Sequence, residues 1–186
     1  MKRTFFAVDI RTEERLTSVI KDIRNHLKED RIKWVTADLM HLTLKFLGDT
    51  PEDAIPQIVN AVDPVIRQMP VMNLLFSAVG LFRNLNNPRV IWIGIQPCPP
   101  LEQAVRTLEH TLVSFGYPLE KAEFVPHLTL GRVKDIKQTE KLAGLIEKYK
   151  NETFGTATIR EIIYYESILK PEGPVYISLA NFPLGM

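Results

Sequence analysis

A four-residue string that occurs twice constrains this chain more than any other feature: His41-Leu42-Thr43-Leu44 and His127-Leu128-Thr129-Leu130, one in each half. Both copies lie in stretches that read as β-strands. Side chains alternate faces along a strand. Each string therefore sends its two leucines to one side and an imidazole with a hydroxyl to the other. A fold that buries both pairs of leucines must present two His–Thr pairs on polar faces.

The rest of the chain alternates between strand and helix patterns. Thr4 to Ile10 reads as a strand. Leu16, Val19, Ile20, Ile23 and Leu27 then recur at helical spacing, with Thr12 as the expected N-cap. Ile32 to Val35 and His41 to Leu47 read as strands. Thr50-Pro51-Glu52-Asp53 opens a second helix, which Pro56 and Pro64 should shorten, kink or bound differently. Strands over Val71 to Val79 and Arg89 to Ile95 flank a turn at Asn84 to Pro88. A third helix runs from Leu101 to Leu112 and stops at Gly116. Phe124 to Val133 reads as a strand, Ile136 to Tyr149 as a helix, and Thr153 to Tyr165 and Val175 to Leu179 as strands. Strands outnumber helices and several connections are short, which predicts an α+β fold with antiparallel sheets rather than a doubly wound parallel one. No low-complexity linker divides the chain, so residues 1–186 are expected to form a single domain.

Composition narrows the function classes. Apolar residues make up 45% of the chain, enough for a core without a covalent staple. The single cysteine, Cys98, rules out an internal disulfide; set between Pro97 and Pro99, it reads as an inert loop thiol. A net charge of +1 gives no global field for long nucleic acid. Any RNA must be held locally and with weak salt dependence. No apolar run approaches the roughly 18 residues of a membrane span. The apolar N-terminal stretch stops at Asp9, too soon for a secretory signal. A cytoplasmic location is the expectation. Neither a GxGxxG nor a phosphate-binding P-loop occurs.

Two imidazoles and two hydroxyls around one space suit phosphodiester cleavage. A neutral His can take a proton from attacking water, and a protonated one can return a proton to the departing oxygen. The ordinary imidazole pKa of about 6.5 fits both roles. Thr hydroxyls can donate to the non-bridging oxygens, where charge builds in the transition state. Neither string has an Asp, Glu or Cys nearby on the same face to complete a zinc site, so no metal and no cofactor are expected. His26 and His110 lie in helical segments with no Thr two residues on, and read as surface residues.

At these residues the sequence resembles the two-histidine phosphoesterases, and within them the RNA 2',3'-cyclic phosphodiesterase branch, also called the 2'-5' RNA ligase family. That branch carries two His-x-Thr-x motifs, one per half. Residues 31–48 (RIKWVTADLMHLTLKFLG) resemble its first motif region and residues 124–132 (FVPHLTLGR) its second. Gly80-Leu81-Phe82 with Pro88-Arg89-Val90-Ile91-Trp92 resembles its middle hairpin, and Gly173-Pro174-Val175-Tyr176 its final strand.

The resemblance implies two pseudo-symmetric lobes of antiparallel sheet with outer helices and an active-site groove between them. It implies hydrolysis of RNA 2',3'-cyclic phosphate ends to a 2'-phosphate. His41 would be the proton donor, His127 the proton acceptor, and Thr43, Thr129 and Arg132 phosphate-binding. The implied partner is an RNA or oligonucleotide end; nothing suggests an obligate protein partner. Because the two motifs are identical, the residues alone leave open which His is acid and which is base. They also leave open 2'-5' ligation at the same site, and a non-catalytic module that binds RNA ends or nucleotides.

Three side chains carry further expectations. Arg132 stands five residues after His127, so strict alternation puts it on the wrong face, and a bulge at Gly131 is needed to bring it round. Lys45 shares the parity of His41 and Thr43, which places it in the groove or in solvent. Phe46 and Trp34 are candidate base-stacking residues, but Phe46 has core parity and both are expected to be buried.

Overall fold

The computed structural model describes residues 1–185. Nine strands and four α-helices follow one another in the order β1 (Lys2–Asp9), α1 (Glu14–His26), β2 (Arg31–Trp34), β3 (His41–Thr50), α2 (Ala54–Ile66), β4 (Met72–Phe82), β5 (Val90–Ile95), α3 (Pro99–Val113), β6 (His127–Asp135), α4 (Thr139–Tyr149), β7 (Thr153–Ile159), β8 (Glu161–Lys170) and β9 (Gly173–Pro183). They form two sheets, antiparallel throughout. A terminal sheet of order β3-β1-β8-β9 joins the two ends of the chain, and a central sheet of order β2-β6-β5-β4-β7 holds its middle. Helices α2 and α3 pack against strands of the terminal sheet, and α1 and α4 against strands of the central one. The architecture is the expected α+β arrangement of two antiparallel sheets with outer helices.

Helices α1 and α3 bury the apolar stripes read from their spacing. Leu16, Val19, Ile20 and Ile23 of α1 are buried, as are Leu101, Ala104, Val105, Leu108 and Leu112 of α3. The leucines of both motifs, Leu42, Leu44, Leu128 and Leu130, belong to the same core. Pro56 falls in the first turn of α2, where its missing N–H leaves no bond unmade, and Pro64 falls in the last turn. A thirteen-residue helix thus accommodates both prolines.

Two local readings need correction. The N-cap of α1 is Glu13, without a side-chain cap bond, while the Thr12 hydroxyl accepts from the Thr17 hydroxyl at 3.0 Å. The segment Thr153 to Tyr165, read as one strand, is two. β7 pairs with β4 in the central sheet, and after Arg160 the chain enters the terminal sheet as β8 beside β1. No Gly or Pro marks that crossing; Arg160 alone separates the two strands.

The segment between β2 and β3 sets the two motifs against each other. β2 is the edge strand of the central sheet, next to β6, and β3 is the edge strand of the terminal sheet. Only a 3-10 turn, Ala37–Leu39, separates them. At its start, Val35 N–H donates to Leu130 C=O of β6 at 2.8 Å; at its end, Ile10 N–H donates to Met40 C=O at 3.1 Å. This short, tied connection holds β3 close to β6, so the polar faces of both motif strands border one groove.

Candidate active site

His41, Thr43, His127, Thr129 and Arg132 all line one cavity of about 180 Å³, together with Lys33, Trp34, Glu172 and Tyr176 among others. The structure therefore brings together every residue singled out from the repeated strings. Arg132 arrives through a bulge. In the β5–β6 ladder Ile91 pairs with Gly131 but Trp92 pairs with Thr129, so Leu130 is the extra residue. Leu130 and Gly131 are both buried, and Arg132 emerges on the face of His127 and Thr129. The bulge lies one residue before the position anticipated.

The same device operates on β3, overturns the expected burial of Phe46 and takes Lys45 to the wall of the larger cavity rather than into solvent. Phe6 pairs with Lys45 but Ala7 pairs with Thr43, which leaves Leu44 as the extra residue. Beyond it the parity inverts. Lys45 turns inward, its side chain only 3% exposed, and donates from Nζ to Glu109 Oε1, Glu120 Oε1 and Pro118 C=O, each at 2.9 Å. Phe46 turns outward to 45% exposure, with the Arg3 guanidinium 4.8 Å above its ring. Trp34 is half-buried rather than fully enclosed. The Arg24 guanidinium lies 5.6 Å from its ring centre, and Trp34 itself lines the cavity.

Both imidazoles are held alike. His41 Nδ1 lies 2.8 Å from Leu39 C=O, and His127 Nδ1 lies 2.7 Å from Val125 C=O. A carbonyl only accepts, so Nδ1 carries the proton in each ring and Nε2 is left free to exchange one. Aromatic rings back both. Phe5 and Tyr176 lie 5.2 and 5.1 Å from the His41 ring, and Phe82 and Trp92 lie 4.6 and 6.4 Å from that of His127.

Burial pushes both imidazoles below their ordinary pKa; their carbonyl partners oppose the shift and the Arg132 charge reinforces it. Two further groups act on His41 alone: Asp9, and the neighbouring His127, whose charge disfavours a second proton. Asp9, the register partner of His41, favours the protonated form of that ring. Asp9 also accepts from the Tyr165 hydroxyl at 2.8 Å, and burial together with that bond raises the Tyr165 pKa.

Tyr176, Asp9, Phe82 and Lys33 were not identified from the sequence as parts of this site. Alternation along β9 could have singled out Tyr176. Lys33 lines the cavity as the register partner of Arg132, while Asp9 and Phe82 reach His41 and His127 from neighbouring strands, and such cross-strand placement has no local trace. His26 and His110 are exposed, as read. Cys98 is buried at the start of α3. Among the described residues, no three His, Cys, Asp or Glu side chains cluster as metal ligands. No helix among them is long and apolar enough to cross a membrane.

A second, larger cavity of about 780 Å³ adjoins the first and shares Thr43 and His127 with it. Its walls carry Phe46, Phe82 and Phe124 beside four carboxylates: Glu102, Glu109, Glu120 and Glu123.

Comparison with known proteins places this geometry among relatives. The family model "LigT like Phosphoesterase" matches twice, over residues 8–92 and 93–176, one match per motif. The chain is 37% identical over 174 residues to an RNA 2',3'-cyclic phosphodiesterase of Methanocaldococcus jannaschii, covering 94% of this chain and 96% of that one. It is 33% identical over 184 residues to an RNA 2',3'-cyclic phosphodiesterase of Methanothermobacter thermautotrophicus, covering 98% of each. The structure of E. coli LigT complexed with 3'-AMP superposes with a TM-score of 0.76 at 26% identity, covering 100% of this chain and 99% of that one.

Proposed function

Because the chain belongs to the LigT-like phosphoesterase family, we propose that it is an RNA 2',3'-cyclic phosphodiesterase, opening the cyclic phosphate at an RNA or oligonucleotide end to leave a 2'-phosphate. The observation that carries this reading is the matched pair of imidazoles. Each is fixed through Nδ1, each has Nε2 available, and both border one small cavity with two threonines and an arginine.

In this reading His127 Nε2 takes a proton from water as its oxygen attacks phosphorus. The bond from phosphorus to the 3' oxygen breaks, and His41 Nε2–H protonates that oxygen. The products are a 2'-phosphate and a free 3'-hydroxyl. Asp9 supports the assignment of His41 as donor, since a carboxylate beside the ring favours its charged form. Thr43 and Thr129 donate to the non-bridging oxygens, and Arg132 balances the charge that gathers there. One histidine comes from each sheet, so residues 1–186 act as one bilobal domain. As an enzyme of RNA ends it belongs in the cytoplasm, and the reading assigns it no metal, cofactor or obligate protein partner.

The test is single substitution of each histidine. His41→Ala and His127→Ala should each lower kcat on a nucleoside 2',3'-cyclic phosphate by about 10³-fold or more, with the circular dichroism spectrum unchanged. Full activity in either variant, or release of a 3'-phosphate, would overturn the reading.

A further inference from the structure

The groove is electrically polarised along its length. At the end that holds the large cavity, four carboxylates face two cations. Arg106 lies 3.6 Å from Glu102, and Lys45 is already bonded to Glu109 and Glu120. At the other end, beyond the two histidines, Lys33 and Arg132 face one carboxylate, Glu172.

Lys33 and Arg132 are register partners across β2 and β6. Arg31 stands two residues before Lys33 on the same strand and, like it, is exposed. It continues the positive stretch about 7 Å further from the cavity, a step comparable to the distance between successive phosphates of an extended single strand. Asp135 is the register partner of Arg31, and Asp30 precedes Arg31 in the chain, its Oδ1 accepting from the Lys137 N–H at 2.7 Å. Among the described residues, none of Arg31, Lys33 and Arg132 is engaged in an ion pair.

We propose that the RNA strand leading to the cyclic phosphate leaves the catalytic cavity over Lys33 and Arg31, at the β2 edge of the central sheet, and is kept out of the larger cavity by its carboxylates. This rests on the reading of the site as an RNA cyclic phosphodiesterase and adds a direction to it. The larger cavity offers a polymer more room. Its charge decides otherwise: each backbone phosphate there would meet carboxylates across a partly desolvated wall, where like charges repel more strongly than in water. At the basic edge each phosphate displaces counterions and gains a partner. A protein whose net charge is only +1 thus holds a polyanion by separating its charges.

The direction can be tested by comparing kcat/KM for a pentanucleotide ending in a 2',3'-cyclic phosphate with that for the nucleoside 2',3'-cyclic monophosphate. The native protein should prefer the pentanucleotide, and each phosphate contact should cost the preference about 5-fold for a tenfold rise in salt. Arg31→Gln with Lys33→Gln should lower the preference and flatten its salt dependence, and Glu123→Gln should leave both in place. Equal rates on the two substrates, or a preference that follows Glu123 and ignores Arg31 and Lys33, would overturn the proposal.

If neither substrate is cleaved, the proposed function fails by itself. The strand path is still decided by fluorescence anisotropy with a labelled pentanucleotide ending in a 3'-phosphate: weaker binding in the Arg31/Lys33 variant upholds it, and unchanged binding removes it.

Discussion

Phe46 and Arg132 occupy equivalent places in the two halves of the molecule. Each stands five residues after its motif histidine, and each reaches the groove because a bulge, at Leu44 in one strand and Leu130 in the other, inverts the parity behind the motif. The scaffold repeats and the side chain does not. One half delivers an aromatic ring to the large cavity, the other a guanidinium to the small one.

That asymmetry predicts different kinetic effects. Arg132→Gln should lower kcat by about 10²-fold, the usual cost of one donor to a developing oxyanion. Phe46→Ala, which removes no charge from the phosphate cavity, should change kcat less than about tenfold. Steady-state kinetics on a nucleoside 2',3'-cyclic monophosphate checks both, and a larger kcat loss from Phe46→Ala would contradict this division.

The depressed histidines predict a pH optimum below neutrality. The base must be neutral and the acid protonated, and both rings are harder to protonate than an ordinary imidazole. The bell of kcat/KM should therefore peak below about pH 6.5. Asp9→Asn removes the carboxylate that favours His41 protonation, so it should draw in the alkaline side of the bell. A profile that Asp9→Asn leaves unmoved would separate Asp9 from His41.

The same shifts act on stability. The unfolded chain binds more protons at these two positions than the folded one, so stability is full above about pH 6.5 and falls as pH drops through that value toward the lower folded pKa values. Urea denaturation at pH 7.5 and 5.5 should show the loss. His127→Asn should reduce the difference between the two pH values.

Lys45 should matter to the fold. Lys45→Met leaves Glu109, nearly buried, without its cation, and should cost about 3 kcal/mol in urea denaturation. Glu120 is largely exposed, so Glu120→Gln should cost less than about 1 kcal/mol. Adding Glu109→Leu to Lys45→Met should restore most of the loss. A Lys45→Met protein as stable as the native one would refute the ion cluster's importance.

Gly80 and Gly144 should respond to alanine in opposite directions. A Cβ on Gly80 would collide with the Trp92 ring, which stands behind His127. Gly80→Ala should cost about 2 kcal/mol and lower kcat by displacing that backing. Gly144 sits within α4 with open space around it, so Gly144→Ala should gain about 0.5 kcal/mol with activity intact. Thermal unfolding and a rate assay on both variants test the contrast.

The repeated string determined much of this protein by itself. Strand periodicity buries Leu42, Leu44, Leu128 and Leu130, and it pairs each imidazole with a hydroxyl two residues on. Helical spacing likewise identified the buried stripes of α1 and α3. These follow from local geometry, which a short stretch of sequence contains. Tertiary structure alone decided where Lys45, Phe46 and Arg132 point, because a bulge depends on the register of the strand alongside and alternation carries no record of it. It also decided that Thr153 to Tyr165 serves two sheets and that Asp9 faces His41. Contacts between residues far apart in the chain are set by how sheets pair and stack, and no periodicity within one segment encodes them.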